Sequence, residues 1–353
     1  MRGCEGITTS YSLSLFTPFA LVPPPEEFQG ILIGEDVYRR PVYLNYNRLP
    51  NFHGIIVGQT GSGKSTTVES LLYDLVQHGI NFMCIDPGLD YVYATKDLGG
   101  LVIDIAENII DIFDAPVDRA YWYSMIADAF ADALGLDAYH AGMIRNALQN
   151  SSSPDEILDE LTGYPDIVGR MNSIIPYILE PNLNMKEILE SNTPICIVYR
   201  CRKRVTPEAE RFITMYFIIY TREYFMSKAP THRPQLIVVI DEAWRLLKGV
   251  QRLNLVDYIR EMRKFGVGYW IITQSVTDMP LEAYEQFGFT LALSGPRVHA
   301  MKLDALAKLS KQDIDWLLYH KQPGYGILIR SGFAKPTQLR VIVREEVLRR
   351  RRK

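Results

Sequence analysis

The stretch GIIVGQTGSGKSTTVESLLYDLVQH, residues 54–78, decides the fold. It opens with a short apolar run, 54–57, that is typical of a buried strand, and it closes with apolar residues at helical spacing. A glycine-rich turn joins the two. A strand, a glycine-rich turn and a helix in direct succession predict a βα unit, and such units build parallel sheets.

The turn has the spacing GxxxxGK[ST], which runs from Gly58 to Ser65. Glycines at 58, 61 and 63 allow the backbone to fold around a phosphate, with its N–H groups pointing inward at the start of the helix. We predict that Lys64 reaches the β- and γ-phosphates and that the Ser65 hydroxyl coordinates Mg²⁺. The alternative is a glycine-rich turn that only caps a core helix. The predicted nucleotide-binding residues are Gly58, Gln59, Thr60, Gly61, Ser62, Gly63, Lys64, Ser65 and Thr66.

Composition limits the classes of protein that remain. The chain has 353 residues, 47% of them hydrophobic and 22% charged, with a net charge of -3, which is typical of a globular protein. This charge excludes nucleic-acid binding through the whole surface but allows a local basic strip. The cysteines form no CxxC pair, the histidines lack zinc spacing, and no signal peptide or membrane-spanning segment stands out, so we expect a reduced cytosolic chain.

Apolar runs and helical patterns alternate along most of the chain. We predict an α/β fold with a mostly parallel sheet that is covered by helices on both faces. A hairpin is predicted from Gly30, with further strands at 54–57, 81–85, 101–105, 195–199, 236–240, 269–273, 289–293 and 326–329 and helices at 206–227, 252–264 and 298–319. The predicted divisions are an irregular lead-in (1–29), a nucleotide-binding domain (30–103 and 194–343), a helical insertion (104–193) and a basic C-terminal tail (344–353).

Polar residues close two of the predicted strands. Asp241 and Glu242 end the run LIVVI, where buried carboxylates are costly unless they face a cation or a reacting water. We predict that Asp241 contributes to the Mg²⁺ site and that Glu242 is the hydrolytic base. Gln274, which closes the run 269–273, suits a sensor of the γ-phosphate or the water. For the acid pair, the alternative is a solvated strand end that begins a helix. For Gln274, the alternative is an amide that caps the next turn.

Four further motifs follow the glycine-rich turn in a fixed order. They are IDPGLDY (85–91), VIDEAW (239–244), RExRKFG (260–266) and TQS (273–275). This ordered set resembles the HerA/FtsK superfamily of ring-forming ATPases, and within it the VirB-type conjugation and CedB-like DNA-import ATPases and the HerA translocases. The resemblance spans about residues 30–340. It implies a RecA-like P-loop NTPase domain with an inserted helical subdomain, which binds ATP and Mg²⁺ between the subunits of a hexamer.

The resemblance also implies an arginine that reaches the site of a neighbouring subunit. Arg260 and Arg263 lie one turn apart on the helix 252–264 and are our candidates, with Arg297 third. The alternative is a solvated helix face. Only 57 residues precede Gly58, fewer than the N-terminal β-barrel of HerA proteins needs, so we do not expect a HerA-type nuclease partner. The helical insertion resembles the helical subdomain of conjugation ATPases, which favours the DNA-transfer relatives.

The function that we expect is therefore a ring-forming motor that moves DNA, at the inner face of a membrane, with channel or anchor proteins as partners. A pilus or secretion ATPase that moves protein subunits and a HerA-like repair translocase remain alternatives. Candidates for sequence-independent DNA contacts are two basic groups, for which solvated surface is the alternative. These groups are Arg200, Arg202, Lys203 and Arg204, and the tail 349–353.

Overall fold

The structure, a computed structural model, describes residues 29–199, 205–243, 255–276, 284–333 and 335–351. In these ranges eleven strands form one sheet. They are β1 (Ile31–Asp36), β2 (Pro41–Leu44), β3 (Gly54–Val57), β4 (Asn81–Asp86), β5 (Leu101–Asp104), β6 (Ile195–Val198), β7 (Thr231–Ile240), β8 (Phe265–Thr273), β9 (Phe289–Leu293), β10 (Tyr325–Arg330) and β11 (Thr337–Val341). Residues 1–28 of the predicted lead-in and the basic cluster at 200–204 lie outside the described residues.

The strand order is β2-β1-β11-β10-β9-β3-β8-β7-β4-β6-β5. From β9 to β5 every neighbouring pair is parallel. The remaining strands extend this part in antiparallel fashion and include the predicted β1–β2 hairpin. The prediction of a mostly parallel α/β sheet is confirmed.

The described helices connect these strands and cover the sheet. They are α1 (Lys64–Gln77), α2 (Val92–Asp97), α3 (Arg119–Leu134), α4 (Ala138–Asn150), α5 (Pro154–Glu160), α6 (Pro165–Met171), α7 (Met185–Glu190), α8 (Pro207–Met226), α9 (Leu255–Met262), α10 (Arg297–Ala307), α11 (Lys311–Tyr319) and α12 (Glu345–Arg351). Helices α3 to α7 fall between β5 and β6, in the stretch where the sequence predicted a helical insertion. How far that insertion is a separate unit stays a prediction.

One helix was predicted over 298–319, and this was wrong because the structure has two. Lys308 adopts a left-handed conformation (φ 49°) that ends α10. Ser310 then begins α11 through a capping box, in which its hydroxyl accepts from the Asp313 N–H and the Asp313 carboxylate accepts from the Ser310 backbone.

The central strands are apolar on both faces. Ile55 and Val57 of β3 pack in the larger core cluster, whereas Ile56 between them packs in the second cluster on the other side of the sheet. The same alternation holds for Val238 and Val239 of β7. Because helices cover both faces, these strands consist of continuous apolar residues, and polar residues occur at their ends.

Candidate nucleotide site

The glycine-rich turn between β3 and α1 needs its glycines. Gly61 and Gly63 have φ values of 82° and 97°, which side chains rarely adopt. At Gly58 a Cβ atom would lie 2.6 Å from the Ser62 Oγ, so no larger residue fits there without a shift. The Ser62 carbonyl accepts a 2.9 Å hydrogen bond from the Gly324 N–H, which ties the turn to the start of β10.

Lys64, the first residue of α1, directs its side chain back to this turn. Its Nζ donates to the carbonyls of Gly58 at 2.7 Å and Gln59 at 3.3 Å. Burial lowers the pKa of Lys64, and the charges of Glu242 and Asp241 counteract that effect. The ammonium group therefore contacts the turn and lies within electrostatic range of the acid pair, where it can bind phosphate oxygens.

The acid pair follows β7 directly. Asp241 is buried, and its two oxygens accept hydrogen bonds from the Tyr91 hydroxyl (2.9 Å) and the Glu242 N–H (2.8 Å). Burial raises the pKa of Asp241 to about 6. Glu242 has a φ of 50°, an uncommon conformation for a side chain of its size that is characteristic of functional turns.

Gln274, the residue after β8, connects the turn to the acid pair. Its Nε2 donates to the two Glu242 carboxylate oxygens at 3.1 and 3.3 Å. Its Oε1 accepts a 3.4 Å hydrogen bond from the Thr60 hydroxyl. One amide thus joins three segments that are remote in sequence, at the carboxyl edge of the parallel strands.

Three carboxylates converge beside the turn. One oxygen atom each of Asp86, Asp90 and Asp241 lies within 4.8 Å of the other two. Carboxylate oxygens are ligands that Mg²⁺ prefers, so this donor set fits the predicted metal. Ser65, the other predicted ligand, is half-buried in the first turn of α1. Burial raises the pKa of Asp86.

The sequence patterns predicted no role for Asp86, Asp90 or Tyr91, although IDPGLDY (85–91) is one of the ordered motifs. The available signal was that IDPGLDY begins at the end of a predicted parallel strand. Carboxyl ends of parallel strands share one edge of the sheet.

The structure does not bring Arg260 and Arg263 to the turn of their own chain. Both are exposed, and Arg263 lies just before β8, whereas Gln274 lies just after it. A strand of nine residues is about 30 Å long, so Arg263 and Gln274 are at opposite edges of the sheet. Arg297, also exposed, begins α10 close behind β9, on the edge of the turn.

Part of the predicted basic tail forms α12, which packs on α1. Glu69 of α1 is buried and pairs with Arg350 and Arg351. Arg351 also donates to the Asp90 carboxylate at 3.1 Å. These two arginines are therefore engaged with acidic side chains of the same chain.

The parallel sheet, with a phosphate-type turn after β3 and an acid pair after β7, defines a P-loop NTPase with a RecA-like core. The model of the FtsK/SpoIIIE family matches residues 27–115. This match supports the resemblance to P-loop ATPases of the FtsK/HerA type that the ordered motifs predicted.

Among curated proteins the chain is similar to the DNA import protein CedB of Sulfolobus acidocaldarius. The two are 27% identical over 274 residues, which cover 71% of this chain and 45% of CedB. The match thus spans less than half of that relative's length.

Two solved structures share the fold over most of the chain. VirB4 of Thermoanaerobacter pseudethanolicus superposes with a TM-score of 0.71 and 17% identity, covering 91% of this chain and 98% of that one. The plasmid coupling protein TrwB in complex with ADP and Mg²⁺ gives 0.65 and 14%, covering 86% and 88%. None of the helices in the described ranges combines the length and apolar character that crossing a bilayer requires.

Proposed function

We propose that the chain is the ATP-hydrolysing subunit of a ring-shaped motor that moves DNA in a DNA transfer system. One observation carries the hydrolytic part of this proposal, namely the Gln274 amide between Thr60 of the phosphate turn and Glu242. A base and a water-orienting amide beside the γ-phosphate position are the protein groups that phosphoryl transfer to water requires.

Each side chain of the site has a separate role in ATP binding and hydrolysis. Lys64 exchanges the carbonyls of Gly58 and Gln59 for phosphate oxygens when ATP binds. Ser65 and Asp241 would hold Mg²⁺, which would neutralise charge that develops on the phosphates. Glu242 accepts a proton from the attacking water, and Gln274 orients that water.

The names of the relatives support DNA as the cargo. CedB is a DNA import protein, and TrwB is a plasmid coupling protein. The basic side chains of this chain would bind DNA phosphates without recognising the base sequence, so the affinity for DNA should fall steeply with added salt. A membrane channel or anchor as partner belongs to the same proposal.

The distant arginines support a ring. Arg260 and Arg263 lie at the edge of the sheet remote from their own Lys64. In a head-to-tail ring, one face of each subunit meets the opposite face of the next, so an arginine of one copy can serve the site of another. We propose six subunits and hydrolysis that depends on assembly.

The test is the ATPase rate of the purified chain without DNA, with single-stranded DNA and with duplex DNA, alongside a mass measurement of the assembly. We expect DNA to accelerate turnover and the active species to have the mass of six subunits. A rate that neither form of DNA changes would contradict a DNA motor and favour the alternative that protein subunits are moved.

A further inference from the structure

The motif IDPGLDY forms a turn at the carboxyl end of β4, beside the acid pair. β4 and β7 are parallel neighbours, and Ile85 pairs in register with Ile240. The residues that follow, Asp86 and Asp241, therefore end adjacent strands side by side. The carboxylates of this turn belong to the candidate Mg²⁺ donor set, but the proposed mechanism gives no role to Tyr91, which ends the motif.

The turn is closed by its first carboxylate. Asp86 accepts hydrogen bonds from the N–H groups of Asp90 (3.0 Å) and Tyr91 (2.8 Å). Leu89 adopts a left-handed φ of 64°, which lets the chain reverse within so few residues. On the far side, the Thr95 hydroxyl donates to the Tyr91 carbonyl at 2.9 Å. The backbone of Tyr91 is thus held from both directions.

The Tyr91 side chain is completely buried and reaches Asp241. Its hydroxyl donates to one carboxylate oxygen at 2.9 Å, while the Glu242 N–H donates to the other at 2.8 Å. Two donors on different oxygens fix the plane of the carboxylate. Each oxygen has two acceptor positions, so one on each stays available for a ligand.

We propose that Tyr91 is a positioning residue that holds the Asp241 carboxylate in the orientation that binds the Mg²⁺ of the nucleotide. This inference rests on the proposed function. A buried carboxylate that loses a donor must rotate or find another partner. Loss of an outer partner of a metal ligand typically weakens metal binding about 10- to 100-fold.

Tyr91→Phe removes only the hydroxyl and keeps the ring in the core. Tyr73→Phe is the matched control, because the hydroxyl of Tyr73 also donates to a carboxylate, that of Asp97, at 2.9 Å. Asp97 lies at the far end of α2, away from the acid pair. Both variants therefore remove one hydroxyl from a tyrosine–carboxylate hydrogen bond.

The measurement is the Mg²⁺ concentration that gives half of the thermal stabilisation of the full chain at saturating ADP. We expect Tyr91→Phe to raise this concentration about 10-fold, whereas the Tyr73→Phe protein should match the wild type. Stabilisation by ADP without Mg²⁺ should be the same in all three proteins. A wild-type Mg²⁺ requirement in Tyr91→Phe would overturn the inference.

A double-mutant cycle tests whether Tyr91 acts through Asp241. In an Asp241→Asn background, Tyr91→Phe should have no further effect on the Mg²⁺ requirement, because the group that it positions has already changed. Additive effects of the two substitutions would contradict the inference even if the single variant is poorly stable. A wild-type protein that ADP does not stabilise at any Mg²⁺ concentration would instead contradict the proposed function and remove the basis of the inference.

Discussion

The two edges of the parallel sheet differ in the groups that one chain places there: the carboxyl edge has the candidate nucleotide site, and the amino edge has exposed arginines. At the carboxyl edge, Gln274 links Thr60 to Glu242, and Lys64 contacts the phosphate turn within electrostatic range of the acid pair. At the amino edge, Arg260 and Arg263 are exposed on and just after α9. The described residues of one chain thus assemble a binding site and place Arg260 and Arg263 at the other edge of the sheet, so nucleotide binding should need one subunit and fast hydrolysis should need two.

The largest loss at the carboxyl edge is expected from Lys64→Ala. Without the ammonium group the phosphates lose their central cation, and turnover should fall by about 10³-fold or more, together with weaker ATP binding. ATPase rates and binding of a fluorescent ATP analogue measure both effects. Lys311→Ala, which removes an exposed lysine from the start of α11, should leave them unchanged.

At the amino edge, Arg263→Ala should lower turnover by about 10³-fold if this residue is the arginine supplied in trans, the lower end of what such groups contribute. ATP binding should stay at the wild-type level, because the carboxyl edge is intact. Steady-state rates and equilibrium binding separate the two outcomes. Reduced binding would contradict the division of labour between the edges.

Mixing the two variants sharpens the comparison. In a randomly mixed ring of Lys64→Ala and Arg263→Ala subunits, about a quarter of the interfaces combine an intact lysine with an intact arginine. Some activity should therefore return on mixing. If the mixture is as inactive as either variant alone, Arg263 does not act in trans.

Glu242→Gln should separate binding from hydrolysis within the carboxyl edge. An amide cannot accept the proton of the attacking water, so turnover should fall by roughly 10² to 10³-fold, while ATP and Mg²⁺ still bind. Quench-flow of radiolabelled ATP would show bound, uncleaved nucleotide. Glu190→Gln, at an exposed position at the end of α7, is the control. Normal cleavage in Glu242→Gln would remove this residue from its role.

The smallest effect concerns two buried histidines, one at each edge. Burial first, and then the charge of Lys64, lower the pKa of His299 to about 4. Burial and the charge of Arg263 lower that of His53 to about 3. Both values lie below the ordinary 6.5, so the folded state keeps these rings neutral while the unfolded state takes up protons. Their contribution to stability is present above pH 6.5 and is lost as the pH falls toward 4.

His299→Gln removes one of the two contributions. Between pH 7 and pH 5 the wild type should lose about 2 kcal/mol more unfolding free energy than the variant, since each pH unit is worth about 1.4 kcal/mol per proton. Urea unfolding at both pH values measures the difference. Equal losses in the two proteins would show that His299 is not a neutral, buried ring.

Local patterns were enough to predict the phosphate turn, the acid pair and the central strands. The turn is one continuous segment, and strands that are buried on both faces are apolar throughout, as Ile55, Ile56 and Val57 show. The contact of Tyr91 with Asp241 could not be predicted, because it depends on β4 lying beside β7, and strand order is not written in any one segment.

Other features were missed because their partners are distant in sequence. Glu69 is a buried charge on α1, and only the structure brings Arg350 and Arg351 of α12 to it. The break between α10 and α11 depends on a left-handed Lys308, a conformation that its residue type does not suggest. An arginine supplied in trans stays a proposal, because it would belong to an interface between two chains.

A crystal structure of the protein with Mg²⁺ and a non-hydrolysable ATP analogue tests the account most directly. We expect the triphosphate in the turn 58–65, the Lys64 Nζ moved from the carbonyls of Gly58 and Gln59 to phosphate oxygens, and Glu242 within one water molecule of the γ-phosphate. A nucleotide bound elsewhere, with Lys64 still on those carbonyls, would contradict it.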